Sequence, residues 1–336
     1  KQEDLATLFD RMVQVRHALA REAGFASYRD YAFTAKYRFD YGPDDCRAFH
    51  EAVEEAVLPA IARLRDARRR ELGVDTLRPW DLQLQPRRTE RLVPFRTVDE
   101  FVAGGRRIFG ALDPELGAQF GIMADEALLD LESRQGKAPG GYCTKLSWRG
   151  RPFIFMNAVG VPDDVNTLVH EAGHCFHDFA AHWLPFIWQR STGHEAAELA
   201  SMSMELLAAP YLAAENGGFY DAQADADRAF TDHLIGLIRF WGYMAVVDGF
   251  QHWAYTHIDD AHDLAQCDAK WVELWYRFMP VEDWSGFEDS LNGYWQRQGH
   301  IYGNPFYYIE YGLAQLGAVQ VWRNSLSDHK GAVAAY

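Results

Sequence analysis

A chain of 336 residues, 48% of them hydrophobic, is long enough to bury a large core as one domain or two, and its eleven Trp, sixteen Tyr and twenty-one Phe argue against disorder. Its 48 acidic against 33 basic residues give a formal net charge of −15, which repels nucleic acid and anionic membranes and argues against both as partners. No run approaches the roughly 18 consecutive apolar residues of a spanning helix. No apolar leader follows Lys1–Asp4, and Cys46, Cys143, Cys175 and Cys267 lack any C-x-x-C spacing; the expectation is free thiols in a reducing cytoplasm.

In chain order, Leu5, Leu8, Phe9, Met12, Val15 and Leu19 recur at helical spacing until Gly24 supplies a stop. A second helix opens at Pro43-Asp44-Asp45 and continues to Gly73, with Pro59 predicting a kink. Residues 74–96, with Pro79, Pro86, Pro94 and clustered arginines, suit an irregular connection. Helices are expected over 97–111, 114–134, 163–183, 195–213, 226–257, 268–278, 282–297 and 306–325. The exception is 141–157, where β-branched and aromatic residues flank an Arg-Gly pair as in a hairpin. No repeat or Gly/Ser linker marks a boundary. The simplest organisation is one α-rich domain over 1–336: a helical region 1–135, a small sheet at about 141–157, metal-binding helices 163–213 and C-terminal helices 226–336.

Residues 170–174 read His-Glu-Ala-Gly-His within an apolar-periodic stretch (Val165, Leu168, Val169, Ala172, Phe176). Histidines at i and i+4 project from one helical face and can share one zinc ion. Glu171, next to the first ligand, can reach a zinc-bound water without ligating and take its proton during attack on a peptide carbonyl. A catalytic zinc needs a third protein ligand. The class that uses a third His ten residues on, after a Gly, is excluded, because Ala180 and His177 occupy those positions. A carboxylate from a following helix remains. Glu198 is the candidate, with small Ala197, Ala200 and Ser201 beside it to allow close approach to Gly173; Glu195, at i−3, is the rival on spacing alone. Glu205, at i+7 from Glu198, suits a supporting or structural charge, and His177 and His194 receive no role.

Residues 300–311 read His-Ile-Tyr-Gly-Asn-Pro-Phe-Tyr-Tyr-Ile-Glu-Tyr. Amide hydrolysis builds negative charge on the carbonyl oxygen, and His300, in a loop, with Tyr308 and Tyr311, at i and i+3 of the last helix, could donate to it. An aromatic stripe at that spacing is more often simply core.

Taken in order, Pro139-Gly140-Gly141-Tyr142-Cys143, Pro152-Phe153-Ile154-Phe155, Asp163-Asp164-Val165 leading into the histidine motif, Glu198 to Glu205 with Met202-Ser203-Met204, and Asn304 to Tyr311 resemble the M3 family of metallopeptidases, closest to the bacterial oligoendopeptidase F branch. The resemblance implies a mainly α, gluzincin-like helical peptidase domain with one small β-sheet, the catalytic lobe of a channel-type oligopeptidase. It implies one Zn2+ on His170, His174 and Glu198, and endopeptidase action on short peptides, with Glu171 as base and His300, Tyr308 and Tyr311 bonding the transition state. It also implies a further helical lobe ahead of the region where this sequence begins, and leaves open whether the sequence is a fragment or the remainder was removed. The alternatives are a zinc carboxypeptidase on a similar scaffold and a non-catalytic peptide-binding domain.

Overall fold

Helix ends fall where the chain supplies its own caps. In the computed structural model, which describes residues 2–82, 90–280 and 282–336, Gly24 and Gly73 take left-handed backbone (φ 85° and 68°) just past the first and fourth helices. The early helices are α1 (Gln2–Glu22), α2 (Tyr28–Ala35), α3 (Pro43–Ala52) and α4 (Leu58–Leu72). They are followed by α5 (Val98–Leu112), α6 (Pro114–Asp125), strands β1 (Leu129–Glu132), β2 (Tyr142–Leu146) and β3 (Arg151–Ala158), then α7 (Pro162–Ala181) and α8 (His194–Leu207). The chain continues with α9 (Gln223–Ala254), α10 (Ile258–Ala261), α11 (Leu264–Phe278), α12 (Glu288–Asn292), α13 (Gly299–Gly303), α14 (Tyr308–Ser325) and α15 (His329–Ala335). The fold is mainly helical with one small sheet.

The expected Pro59 kink takes the form of a π-helical turn over Val53–Val57 between α3 and α4, in which the Leu58 N–H reaches back five residues to the Val53 carbonyl. Pro59 has no N–H to offer the preceding turn, and the wider turn absorbs that loss. The expected irregular connection over 74–96 holds a single 3-10 turn, Pro79–Leu82, and its residues 83–89 lie outside those described.

Three expected helices are corrected; the one expected over 195–213 ends at Leu207 and is followed by a 3-10 turn, Ala209–Tyr211. The helix expected over 114–134 stops at Asp125, because Ala127 adopts φ 55° and the Leu128 N–H turns back to the Met123 carbonyl. The leucines that follow form β1, a strand that helical periodicity conceals. The helix expected over 282–297 is broken at Gly286 (φ 80°) and survives as α12 and a 3-10 turn, Gly293–Arg297.

The chain forms two compact units. The first comprises Lys1–Thr89 and Ile235–Gly312. It is helical, with a core of Phe9, Phe250, Tyr255, Trp271, Trp295 and Phe306 and buried ion pairs Arg65–Glu282 (3.0 Å) and Arg38–Glu310 (2.5 Å). The second comprises Glu90–Leu234 and Leu313–Tyr336 and contains the sheet, in the order β1-β3-β2. The expected hairpin is present as β2 antiparallel to β3, with Tyr142 opposite Phe155 and Leu146 opposite Arg151; β1 runs parallel to β3 on its other side. Alternate residues of β3, Pro152, Ile154, Met156 and Ala158, are buried, and α7 packs against β3 on one flank and α8 on another. The core around α7 is completed by Phe101, Ile108 and Phe109 of α5 and Phe120 of α6.

Candidate metal centre

The start of α7 is tied down by one side chain. An Asp164 carboxylate oxygen accepts the N–H groups of Val159, Gly160 and Val161 at 2.8, 2.8 and 2.9 Å, and Pro162 occupies the first turn. Val165, Leu168, Val169, Ala172, Cys175 and Phe176 bury the helix in the core. His170 and His174 stand one turn apart on another face, each about one-fifth exposed, with ring centroids 4.9 Å apart.

Gly173 explains how the next helix reaches them. A Cβ there would lie 2.6 Å from the Ser201 Cα and 3.1 Å from the Ala200 carbonyl oxygen, so α7 and α8 touch backbone to backbone. The small residues of α8 permit that approach, as their sequence suggested. It carries Glu198, one turn before Ser201, against the histidines: its Oε2 lies 3.3 Å from His170 Nε2 and 3.5 Å from His174 Nε2. Ligands about 2.0–2.1 Å from a tetrahedral zinc would be separated by about 3.3 Å, so the two distances from Glu198 match edges of such a site. Glu198 is 3% exposed, and Ser201 Oγ donates to the same Oε2 at 3.2 Å.

The charges point the same way. Burial disfavours ionisation of Glu198, yet hydrogen bonds from His170 and His174 outweigh it and hold its carboxyl well below the usual range. Burial opposes a charged His170 too, but Glu198 and Glu205, one on each ring nitrogen, raise its pKa well above the ordinary value. The two carboxylates thus flank His170, one on each ring nitrogen, and the donor set of two imidazoles and the Glu198 carboxylate suits a dication.

Glu205 acquires a definite position. Its Oε1 is 2.5 Å from His170 Nδ1 and its Oε2 is 2.9 Å from His233 Nε2 on α9; despite burial, these histidines bring its carboxyl down to about 2. A carboxylate on Nδ1 leaves Nε2 of the same ring facing Glu198, the arrangement that orients a metal-ligating imidazole. The i, i+7 spacing from Glu198 made Glu205 visible in the sequence. His233 was missed, and no local pattern announces it.

Glu171 is 7% exposed, and its Oε2 has no hydrogen-bond partner. Burial pushes this carboxyl up, opposed by the two histidines and by the backbone N–H of Cys143 on β2. A carboxyl raised in this way is suited to taking and returning a proton near neutrality. The strand lies close to α7: Cys143 Sγ is 3.3 Å from Cys175 Sγ, both as free thiols. Among the described residues β2 pairs with a neighbouring strand on one side only.

Among the described residues the converging group of possible metal donors here is His170, His174 and Glu198, and the rival Glu195 is outside it. His177 is also outside it and lines an apolar cavity of about 520 Å³ with Phe176, Leu199 and Val321; His194 is exposed. The second cluster belongs to the first unit. His300 sits in α13 rather than in a loop, with its ring centroid 5.1 Å from Tyr308 and 5.8 Å from Tyr311. Gln298 Nε2 donates to the Tyr308 hydroxyl, which burial pushes up to about 12 and so keeps protonated.

Two imidazoles one turn apart, a carboxylate from the next helix and a buried carboxyl beside the first imidazole make up the kind of site that helical metallopeptidases use. The chain belongs to peptidase family M3, whose model matches residues 1–334. It is similar to a provisionally named oligoendopeptidase F at 34% identity and TM-score 0.92, covering 98% of this chain and 57% of that one. Pz peptidase A, solved with an inhibitor, is 32% identical at TM-score 0.92 over the same shares. A provisionally named oligoendopeptidase F from Bacillus anthracis is 28% identical at TM-score 0.84, covering 98% and 56%. The chain therefore spans just over half the length of these relatives. No curated protein matches it.

Proposed function

We propose that this chain carries the chemistry of a zinc-dependent endopeptidase acting on internal bonds of short peptides. The observation that supports it best is the convergence of His170, His174 and Glu198 donor atoms beside the unpartnered buried oxygen of Glu171. Two neutral imidazoles and one carboxylate leave a fourth position for water or substrate. When bound, zinc would supply Lewis-acid polarisation of the peptide carbonyl and acidify water for attack.

The remaining work falls to the chain. Glu171 takes the proton from the attacking water and returns it to the departing amine. Glu205 holds His170 in the tautomer that presents Nε2. The unpaired side of β2 offers main-chain groups to an extended peptide, giving affinity with little side-chain selectivity. His300, Tyr308 and Tyr311 are proposed as hydrogen-bond donors to the developing oxyanion. Peptide substrates agree with family M3 membership and with the names of the similar structures.

The test is an internally quenched peptide blocked at both ends, with products identified by mass. Internal cleavage, abolished by chelator and restored by zinc, is expected. Release of single C-terminal residues from an unblocked peptide, with the blocked one intact, would replace this reading with a carboxypeptidase. Peptide binding without cleavage would leave only a binding domain.

A further inference from the structure

A second group of metal-type donors lies in the first unit, on α3 and α9. Each helix contributes a pair at i and i+4: Cys46 and His50 from α3, Asp248 and His252 from α9. Residues one turn apart share a helix face, so two such pairs on facing helices can surround one point. All four are more than nine-tenths buried, with Cys46 1%, His50 6%, Asp248 0% and His252 8% exposed. One donor atom each from Cys46, Asp248 and His252 lies within 4.8 Å of the other two; His50 is outside that trio and meets Asp248 at 3.0 Å.

The polar atoms here are incompletely satisfied. His50 Nε2 meets Asp248 Oδ2 at 3.0 Å, and His252 Nε2 lies 3.3 Å from the same oxygen without hydrogen-bonding alignment. Asp248 Oδ1 and both ring nitrogens of His252 have no hydrogen-bond partner. Buried polar groups without partners are costly and rare, and an ion is one of the few things that satisfies several together. The 3.3 Å separation is also about the edge expected between two ligands of a tetrahedral zinc, as in the His170 site.

The charge balance favours a dication. Burial and the Asp248 charge push the Cys46 thiol up, so it would ionise only on a metal. With a dication bound, Cys46 thiolate and Asp248 carboxylate would supply two negative charges, and His50 and His252 would complete a tetrahedral set of S, O and two N donors. Arg38, whose charge also reaches Asp248 and Cys46, is bound by the Glu310 carboxylate at 2.5 Å and by the Phe306 carbonyl. We propose that Cys46, His50, Asp248 and His252 bind a second, structural divalent cation of the zinc class, His50 exchanging its hydrogen bond to Asp248 for the metal. It would fasten α3 to α9 within the first unit, and it uses no residue of the proposed catalytic site.

Metal content and a cobalt spectrum test this. Zinc-saturated, dialysed protein is expected to hold two equivalents, and His174→Ala one. Stripped protein reloaded with Co2+ should show a thiolate-to-cobalt charge-transfer band, since this site has a sulfur ligand and the His170 site has none. The band should persist in His174→Ala and be lost in Cys46→Ser. A single equivalent in the parent that disappears in His174→Ala, no charge-transfer band in the parent, or a band that survives in folded Cys46→Ser would each overturn the proposal. Should Cys46→Ser not fold, the parent band and the equivalent retained by His174→Ala still decide it.

Discussion

Gly173→Ala should cripple metal binding although it touches no ligand. The added Cβ would sit 2.6 Å from the Ser201 Cα and 3.1 Å from the Ala200 carbonyl oxygen, both backbone atoms that cannot rotate aside. Carbon atoms pack at about 3.5–4.0 Å, so α8 must retreat by about 1 Å, and Glu198 moves with it. Metal–ligand distances tolerate only about 0.2 Å, so the third ligand is lost or badly strained. Two effects on stability oppose each other: alanine gains about 1 kcal/mol of helix propensity over glycine, while overpacking costs about 1–3 kcal/mol. Their difference is small, which makes zinc affinity the sharper readout. Competition against a chromophoric chelator should show a loss on the order of a hundredfold, about 2.7 kcal/mol. Gly110→Ala, in α5 with nothing within 4 Å of its new Cβ, is the matched control and should bind zinc as the parent does. Parental zinc affinity in Gly173→Ala would show that the contact between α7 and α8 does not position Glu198.

Glu171→Gln should keep its zinc and lose nearly all peptidase activity, whereas His174→Ala should lose both; metal analysis beside the peptide assay separates base from ligand. Glu205→Gln should weaken zinc binding about 10–100-fold, because it loosens the partner of His170 Nδ1 rather than a ligand, and chelator competition reads this directly. Tyr311→Phe should lower kcat about a hundredfold or more, with KM and zinc content little changed; parental turnover would return the tyrosine to the core. Removing the metal should lower the melting temperature, since a ligand at about a thousand times its Kd stabilises the folded state by about 4 kcal/mol.

What was legible in the sequence was whatever a local rule governs. The i, i+4 histidines, the small residues of α8 and the alternation in β3 depend on neighbours a few residues away, and each stands where periodicity put it. The misreadings arose where backbone geometry overrode composition. Ala127 in a left-handed conformation ended α6 early, and nothing in an alanine signals that, so Leu128, Leu129 and Leu131 passed for another helical turn. Contacts between distant segments were equally silent. His233 stands 28 residues after Glu205 in the chain, at no repeat of the helix, yet meets its carboxylate at 2.9 Å. Cys46 and Asp248 lie on helices about 200 residues apart, and only the fold brings them together.

Helix α7 and the neighbouring strand β2 depart from good folding practice at several points, and the departures are close together. A glycine in mid-helix forfeits about 1 kcal/mol relative to alanine, a buried carboxylate oxygen without a partner costs more, and an edge strand unpaired on one side invites association. Gly173 adjoins His174, Glu171 adjoins His170, and the backbone N–H of Cys143 in β2 faces Glu171. Stability alone would select against each of them. Elsewhere α7 is conventional, with Asp164 satisfying three N–H groups at its start and an apolar face buried along its length. Local rules broken together at one place, within a helix that keeps them elsewhere, are what a site shaped for chemistry produces. In the proposed reading the three have separate uses: the glycine admits Glu198, the unpartnered oxygen handles a proton, and the unpaired strand receives the peptide.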